Sequence, residues 1–536
     1  MTSQGVSALD EHRYIESFGG TRSYYELRDA IRAWYRENAR LSPTATAEER
    51  LNPGNGWVSH LCFEPAVGVR ALESLLRPFC DDGRLTVLLR HKASAAVVEG
   101  DLVRSVSFRH LDGAERVDVR ASFVLDATEL GDLLPLTGAE YVSGAESSVE
   151  TGEPNARTTA AAWCVQSFTY PFALELSTQR PPVPEPEEYA LNRERQPYTL
   201  RHFYHDARGW TRYGMFTKGD GVDLPFWTYR RLIDRANFED PRYDVAMINW
   251  PGNDFRHGNI IDVDPSAALE ALHGARRLAL GFCRWLQTEC PRDEGGAGYP
   301  EMVLRPEVMG TVDGLSKHPY IRESRRIRAL RTIVEQDISA TRQTGPRARF
   351  FPDSVGIGLY AIDIHPAEGE EKLPPDRAKP FQIPLSALVP MRLRNLLPAC
   401  KNIGTTHITN GAYRLHPIEW NIGESAAHTA VLCMERGAAP QALAADPAAV
   451  RVLQQRLVRA GVPLFWYPDV GLEHPAFEAS QVLAAWGHPV GRTDALEFGP
   501  DDEVDEAEAA ALGEESGFRG TRQVLVSAAY RRLDTE

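Results

Sequence analysis

The densest chemistry in this 536-residue chain lies in Asn395–Glu424, NLLPACKNIGTTHITNGAYRLHPIEWNIGE. His407, Tyr413, Arg414 and His416 fall close together there. Imidazole titrates near neutrality, so a histidine can take or give a proton, while tyrosine and arginine orient an oxygen or an anionic group. A helix starting near His416-Pro417 would present free N–H groups and partial positive charge. Val124–Asp132, VLDATELGD, runs an apolar strand into small residues and a Gly-Asp turn. The carboxyl end of a strand is where ligands sit in an α/β sheet. His365 closes the alternating stretch Ile362-Asp363-Ile364-His365. Each of these has a plain counterpart: a packed or capping histidine, an ordinary strand end, a polar surface loop. Ile321–Ile327, IRESRRI, reads either as a basic anion clamp or as helix-surface ion pairs of small worth.

These residues need elements to position them. The apolar stripe Tyr25, Leu27, Ile31, Trp34 and Tyr35 predicts a helix over 21–38, and Val69, Leu72, Leu75 and Leu76 predict another over 65–79, with Pro65 in its first turn. The period then changes to two. Leu85–Leu89, Ala95–Val98, Leu102–Phe108 and Val117–Leu125 read as strands, with turns at Glu99-Gly100-Asp101 and Asp112-Gly113. Residues 151–385 are richer in aromatics and proline. They hold an extended connector at 181–187 and helices over 266–289 and 328–337. Arg394–Cys400 reads as a buried strand, and Ile418–Arg436 as a helix with Gly423, Ser425, Ala426, Ala427 and Ala430 on a close-packing side. The chain from 441 onward is Ala-rich and helical, and its acidic run Glu497–Glu515 reads as a solvated face. Gly356-Ile-Gly358-Leu-Tyr-Ala361 approximates a dinucleotide fingerprint. A strand-like stretch follows it where a helix should meet a pyrophosphate. Glycines in a strand mark a bulge or a close approach.

Composition narrows the function classes. Lys and Arg number 59 against 74 Asp and Glu, a net charge of −15, which argues against a non-specific nucleic-acid binder. No apolar run approaches the ~18 residues of a membrane span. Met1–Gly5 has no basic region leading into an apolar one, so no signal peptide is visible. The seven cysteines are scattered without a C-x2-C pair. That argues against a disulfide framework, a metal site or an iron–sulfur cluster, and for a reducing, cytoplasmic setting.

Taken in order, Leu125–Asp132 with Thr137–Tyr141, Pro319–Ile327, Asp353–His365, Phe381–Pro390 and Asn395–Glu424 resemble the FAD-dependent oxidoreductases of the glutathione-reductase-like superfamily, in the branch loosely labelled xanthan lyase-like. The resemblance implies an α/β fold with a discontinuous Rossmann-like FAD-binding domain at 1–150 and 386–440. It also implies an inserted α+β substrate domain at 151–385, followed by a helical region at 441–536. It implies FAD as cofactor, with Gln4, Ser7, Ala127, Thr128, Gly131, Asp132, Gly411, Asn421, Gly423 and Glu424 on the flavin side. His365, His407, His416, Tyr413 and Arg414 are then the catalytic candidates. The expected activity is hydride transfer from a small-molecule or sugar-like substrate to the flavin, reoxidised by an unidentified electron acceptor.

The family opens with a strand, a Gly-rich turn and a helix. Met1–His12 resembles a stretch after that unit, so roughly 40 residues, about one βαβ unit, would be missing together with the pyrophosphate loop. FAD binding is then expected to be weak, and a non-catalytic flavoprotein shell binding a glycan or a protein partner is the alternative. Glu129 stands where many relatives carry Gly, and a Gly-only backbone conformation there would exclude it. Phe465–Ala510 resembles a degenerate S-layer-homology repeat.

Overall fold

A computed structural model describes residues 2–178, 180–203, 209–220, 222–370, 377–488, 490–513 and 518–533. Helices and strands are mixed along the chain, as an α/β class requires. Thr21 caps the first long helix, Arg22–Asn38, by accepting the Tyr24 N–H. Its Leu27, Ile31 and Tyr35 are fully buried and share a core with Val67 and Ala71 of the Pro65–Asp81 helix.

The meander follows as an antiparallel sheet of His91–Glu99, Leu102–His110 and Arg116–Val119. Two expectations fail nearby. Leu85–Leu89 is no strand, because no neighbouring strand pairs with it and Leu89 is 74% exposed. The strand over 117–125 splits. Its first half closes the meander, and Val124–Asp126 leaves to pair in parallel with Leu396–Pro398, Leu125 opposite Leu397. This parallel ladder joins segments that flank residues 151–385 in the chain.

Between them, Phe168–Ile321 carries its own core. The strand Phe172–Leu176 sits inside a four-stranded antiparallel sheet. The Pro265–Thr288 helix, capped by Asp264, brings Ala275, Leu278, Phe282 and Leu286 into that core. The helix expected over 328–337 shrinks to Glu335–Ile338. The preceding main chain is extended and bonded elsewhere, Ile327 N–H to the Asn402 carbonyl and Arg331 N–H to the Ser386 carbonyl. Tertiary hydrogen bonds there outbid the local period.

Ser354–Gly358 pairs with Phe381–Pro384, and its glycines mark a close approach. A Cβ on Gly356 would collide with the Asn421 amide, whose Oδ1 accepts the Ile357 N–H at 3.1 Å. Asn421 lies on the long helix His416–Arg436. The C-terminal helices Pro447–Arg459, Phe477–Ala485 and Arg522–Leu533 share one continuous core with Val355, Ile383, Leu397 and Ile422. Part of the acidic run is likewise drawn into packing, since buried Arg522 pairs with Asp502 and Glu508. Glu514 and Glu515 lie outside the described residues. No helix among the described residues is long and apolar enough to cross a membrane.

Candidate functional site

The parallel ladder ends its two strands side by side. Asp126 is spent on its own loop, accepting from Thr128 N–H at 3.0 Å, Thr128 Oγ1 at 2.7 Å and Leu133 N–H at 3.2 Å. The two exits then carry Glu129 and Lys401 to the wall of a cavity of about 520 Å3. Lys401 Nζ lies 2.6 Å from Glu129 Oε2 and 3.4 Å from Glu419 Oε2. Glu419 comes from the first turn of the His416–Arg436 helix. The same helix supplies Trp420, Gly423 and Glu424 to the cavity, with Tyr24 and Tyr320 from other elements. A Cβ on Gly423 would lie 3.3 Å from the Ala399 carbonyl, so the small residue lets the helix ride close to the strand end.

Charge is unevenly satisfied around this space. Burial raises Glu419, and neighbouring Glu129 adds to that rise against the pull of Lys401. Burial also opposes ionisation of Glu129, yet the Lys401 charge and hydrogen bond pull it well below the usual carboxylate range. Three cavity polar atoms have no partner: Gln4 Nε2, Glu424 Oε2 and Arg414 Nε. Behind the wall, Asp10 binds Arg230 at 2.7 Å and Tyr320 at 3.3 Å, and its N–H donates to His416 Nδ1 at 3.3 Å. His416 is pulled down to about 3 by burial, so its ring is neutral, with Nδ1 accepting and Nε2 protonated.

The structure brings together only part of the set expected from sequence. His416, Arg414, Gln4, Gly423 and Glu424 line the one cavity. Tyr413 does not, because its hydroxyl donates to the Gln382 carbonyl at 2.8 Å and its ring packs on Phe381 at 4.3 Å. His407 opens the buried helix His407–Tyr413, where a loop was expected, and its Nδ1 lies 2.9 Å from Glu323 Oε2. His365 lines a different cavity. Asp363 stands between His365 and Arg414, its Oδ2 at 3.0 Å from His365 Nε2 and 3.6 Å from Arg414 Nη2.

Among the flavin-side candidates, Ala127, Thr128, Gly131 and Asp132 form the turn after the strand and do not line the cavity. Gly131 takes φ +62°, and Asp132 forms ion pairs with Arg325 at 3.7 Å and Lys92 at 3.5 Å. Glu129 has no such φ, so the glycine-requiring position in this turn is Gly131. Ser7 is fully buried with an unpartnered hydroxyl away from the cavity lining. Asn421 is engaged with Ser354–Gly358, and Gly411 packs its Cα against Asp363 backbone, where a Cβ would sit 2.9 Å from the carbonyl oxygen.

Sequence reasoning passed over Lys401, Glu419, Trp420 and Tyr320. Lys401, Glu419 and Trp420 lie inside the very segment that stood out, but only the fold aims a lysine two carboxylates share. The Lys401→Met variant is expected to lose about 1–3 kcal/mol in a urea unfolding curve, because two carboxylates lose their cation. The value is kept low because Glu129 is 42% exposed and its pairing is screened by solvent.

A second carboxylate near the predicted residues is a pH handle. Glu153 is 2% exposed and accepts from Thr406 Oγ1 at 2.6 Å and Glu335 N–H at 2.8 Å. Burial pushes its carboxyl up to about 6, from an ordinary 4.5. A carboxyl raised on folding binds its proton better folded than unfolded. Its stabilisation is therefore present below pH 4.5 and is lost as pH rises through about 6, a change of roughly 2 kcal/mol. Glu153→Gln is expected to flatten stability over that window, and urea midpoints taken across it check this.

The family model described as FAD dependent oxidoreductase matches residues 1–457. The chain belongs to the FAD-dependent oxidoreductase family, whose cofactor is FAD. No curated protein and no solved structure matches the chain.

The residues present fit one end of that cofactor. The aromatic walls of Trp420, Tyr24 and Tyr320 and the unpartnered Gln4 amide suit a flat heteroaromatic ring with carbonyl and nitrogen edges. Among the described residues, no strand runs through a Gly-rich turn into a helix, the cradle a diphosphate needs.

Proposed function

We propose that the Lys401 cavity seats the isoalloxazine ring of FAD, and that the chain oxidises a small, polar, sugar-like substrate beside it for the benefit of a separate electron acceptor. The observation that carries this reading is Gln4, which is 4% exposed, lines the cavity and leaves its Nε2 unpartnered. A buried donor with no acceptor costs free energy that a ring carbonyl or ring nitrogen recovers.

FAD, when bound, supplies a two-electron acceptor. The chain's own groups bind, orient and hold protons. Lys401 and Arg414 set positive charge beside the ring and the substrate. Neutral His416 offers Nε2–H to a substrate oxygen, and Glu419, raised by burial, is able to accept a proton near neutral pH. In this reading 1–150 with 386–440 is a discontinuous Rossmann-like unit, and 151–385 carries the substrate.

The hold on FAD is loose. Glu129, Glu419 and Glu424 outnumber Lys401 and Arg414 around the cavity, so a diphosphate gains little there. Riboflavin and FAD, titrated separately by flavin fluorescence, are expected to bind saturably and within about tenfold of each other, since the ring makes most of the contact. Gln4→Ala and Trp420→Ala are expected to weaken both. Absence of saturable binding, or binding indifferent to both substitutions, would overturn the reading.

A further inference from the structure

We propose that the cavity walled by Ser167, Gln196, Arg256 and His365 is a second ligand site that takes a small hydroxylated carboxylate. It encloses about 430 Å3 and shares no lining residue with the Lys401 cavity. Its polar groups are left in an incomplete state. Ser167 is 2% exposed and Gln196 5%, yet Ser167 Oγ and Gln196 Oε1 have no hydrogen-bond partner. Gln196 is held in place by its other end, Nε2 donating to the Asp254 carbonyl at 2.8 Å. A hydroxyl and a carbonyl oxygen left unpartnered in one cavity ask for a ligand that can both donate and accept, which an alcohol does.

Arg256 defines the rest of the ligand. Its half-buried guanidinium makes no ion pair or hydrogen bond among the described residues. Burial pulls it below the ordinary guanidinium range, with Asp254 opposing. The one carboxylate in the wall, Asp254, is already engaged by Arg322 at 2.9 Å, His365 Nδ1 at 2.5 Å and Thr169 Oγ1 at 2.5 Å. Both nitrogens of His365 face carboxylates, Asp254 at 2.5 Å and Asp363 at 3.0 Å, so these acids are engaged away from Arg256. The space is therefore short of negative charge. A partly desolvated cation without a partner is unfavourable in the free protein, and a bidentate carboxylate is the group that matches a guanidinium fork.

The test uses the full chain and thermal unfolding, with sodium gluconate as the probe, sorbitol as its uncharged match and sodium chloride as the ionic-strength control. Gluconate is expected to raise the midpoint saturably while sorbitol and chloride do not. Arg256→Leu is expected to unfold at or above the wild-type midpoint without ligand, because it removes a half-buried charge that has no ion-pair partner among the described residues. The same variant is expected to weaken gluconate binding at least about tenfold. Ser167→Ala, which keeps the charge, is expected to weaken it less. A gluconate effect no larger than that of sorbitol or chloride, or one unchanged in Arg256→Leu, overturns the proposal. The readout does not involve flavin, so its failure leaves the reading of the Lys401 cavity standing, and the converse also holds.

Discussion

Replacing Arg326 with leucine is expected to lower the unfolding free energy by about 3–5 kcal/mol, a large part of what holds an ordinary domain together. The guanidinium is completely buried. It pairs with Glu323 three residues earlier, reaches Glu146 at 2.9 Å, and donates to the Gly144 carbonyl at 2.5 Å and the Thr405 carbonyl at 3.1 Å. Leucine fills much of the volume but leaves the Glu323 carboxylate, also fully buried, with only His407 and the Gln166 N–H. In the wild type His407 and Arg326 hold Glu323 below the usual carboxylate range despite its burial. Without the guanidinium the remaining carboxylates favour their protons. The defect should therefore be smaller in mild acid and grow as pH rises, since protonation stabilises such a folded state and is lost at higher pH. Urea midpoints at two pH values check both size and sign. A change under 1 kcal/mol, on the scale of ~1 kcal/mol for an exposed pair, would mean the network is wetter than its burial implies.

Arg230→Met is expected to cost a similar amount, about 3–5 kcal/mol, and also to disturb ligand binding in the Lys401 cavity. Arg230 and Asp10 have side chains 6% and 8% exposed and meet at 2.7 Å. A second guanidinium nitrogen donates to the Ala8 carbonyl at 2.7 Å, so one side chain fixes the N-terminal segment by both charge and backbone. Asp10 then stands behind the cavity, bonded to Tyr320 and passing its N–H to His416. Burial opposes its ionisation, but the Arg230 charge and hydrogen bond hold it ionised. With methionine in place, Asp10 takes a proton or pulls away, and the tautomer and position of His416 lose their anchor. The expected signature is a lowered urea midpoint together with weakened riboflavin binding. Arg230→Lys, which keeps the charge but not the fork, should recover part of the stability. Full stability in the methionine variant would refute the role given to this pair.

Much of the local structure was legible without coordinates, for reasons that are local. Pro65 announces a helix start because its fixed φ suits the first turn whatever lies beyond it. The Glu99-Gly100-Asp101 turn and the apolar Leu396-Leu397 run are equally self-contained. The errors fall where a neighbour decides. Leu85–Leu89 has the right residues for a strand and no partner; 328–334 has a helical period and hydrogen bonds elsewhere. Thr406-His407-Ile408-Thr409-Asn410-Gly411 looks like a polar loop and is a buried helix, because Thr406 and Glu146 accept its first-turn N–H groups and Glu323 meets the His407 ring within the core.

The amino-acid order alone determined the helix stripes, the turn at Gly100, the family resemblance along 1–440 and the segment in which the site residues lie. Those properties depend on neighbours a few positions apart. Tertiary structure decided which of these groups meet. It separated His365, His407 and His416 into three environments, withdrew Tyr413 into packing, and set Lys401 between Glu129 and Glu419. Contact between residues hundreds of positions apart depends on how strands pair and helices pack. The parallel ladder of Val124–Asp126 with Leu396–Pro398 is the pairing that creates the cavity.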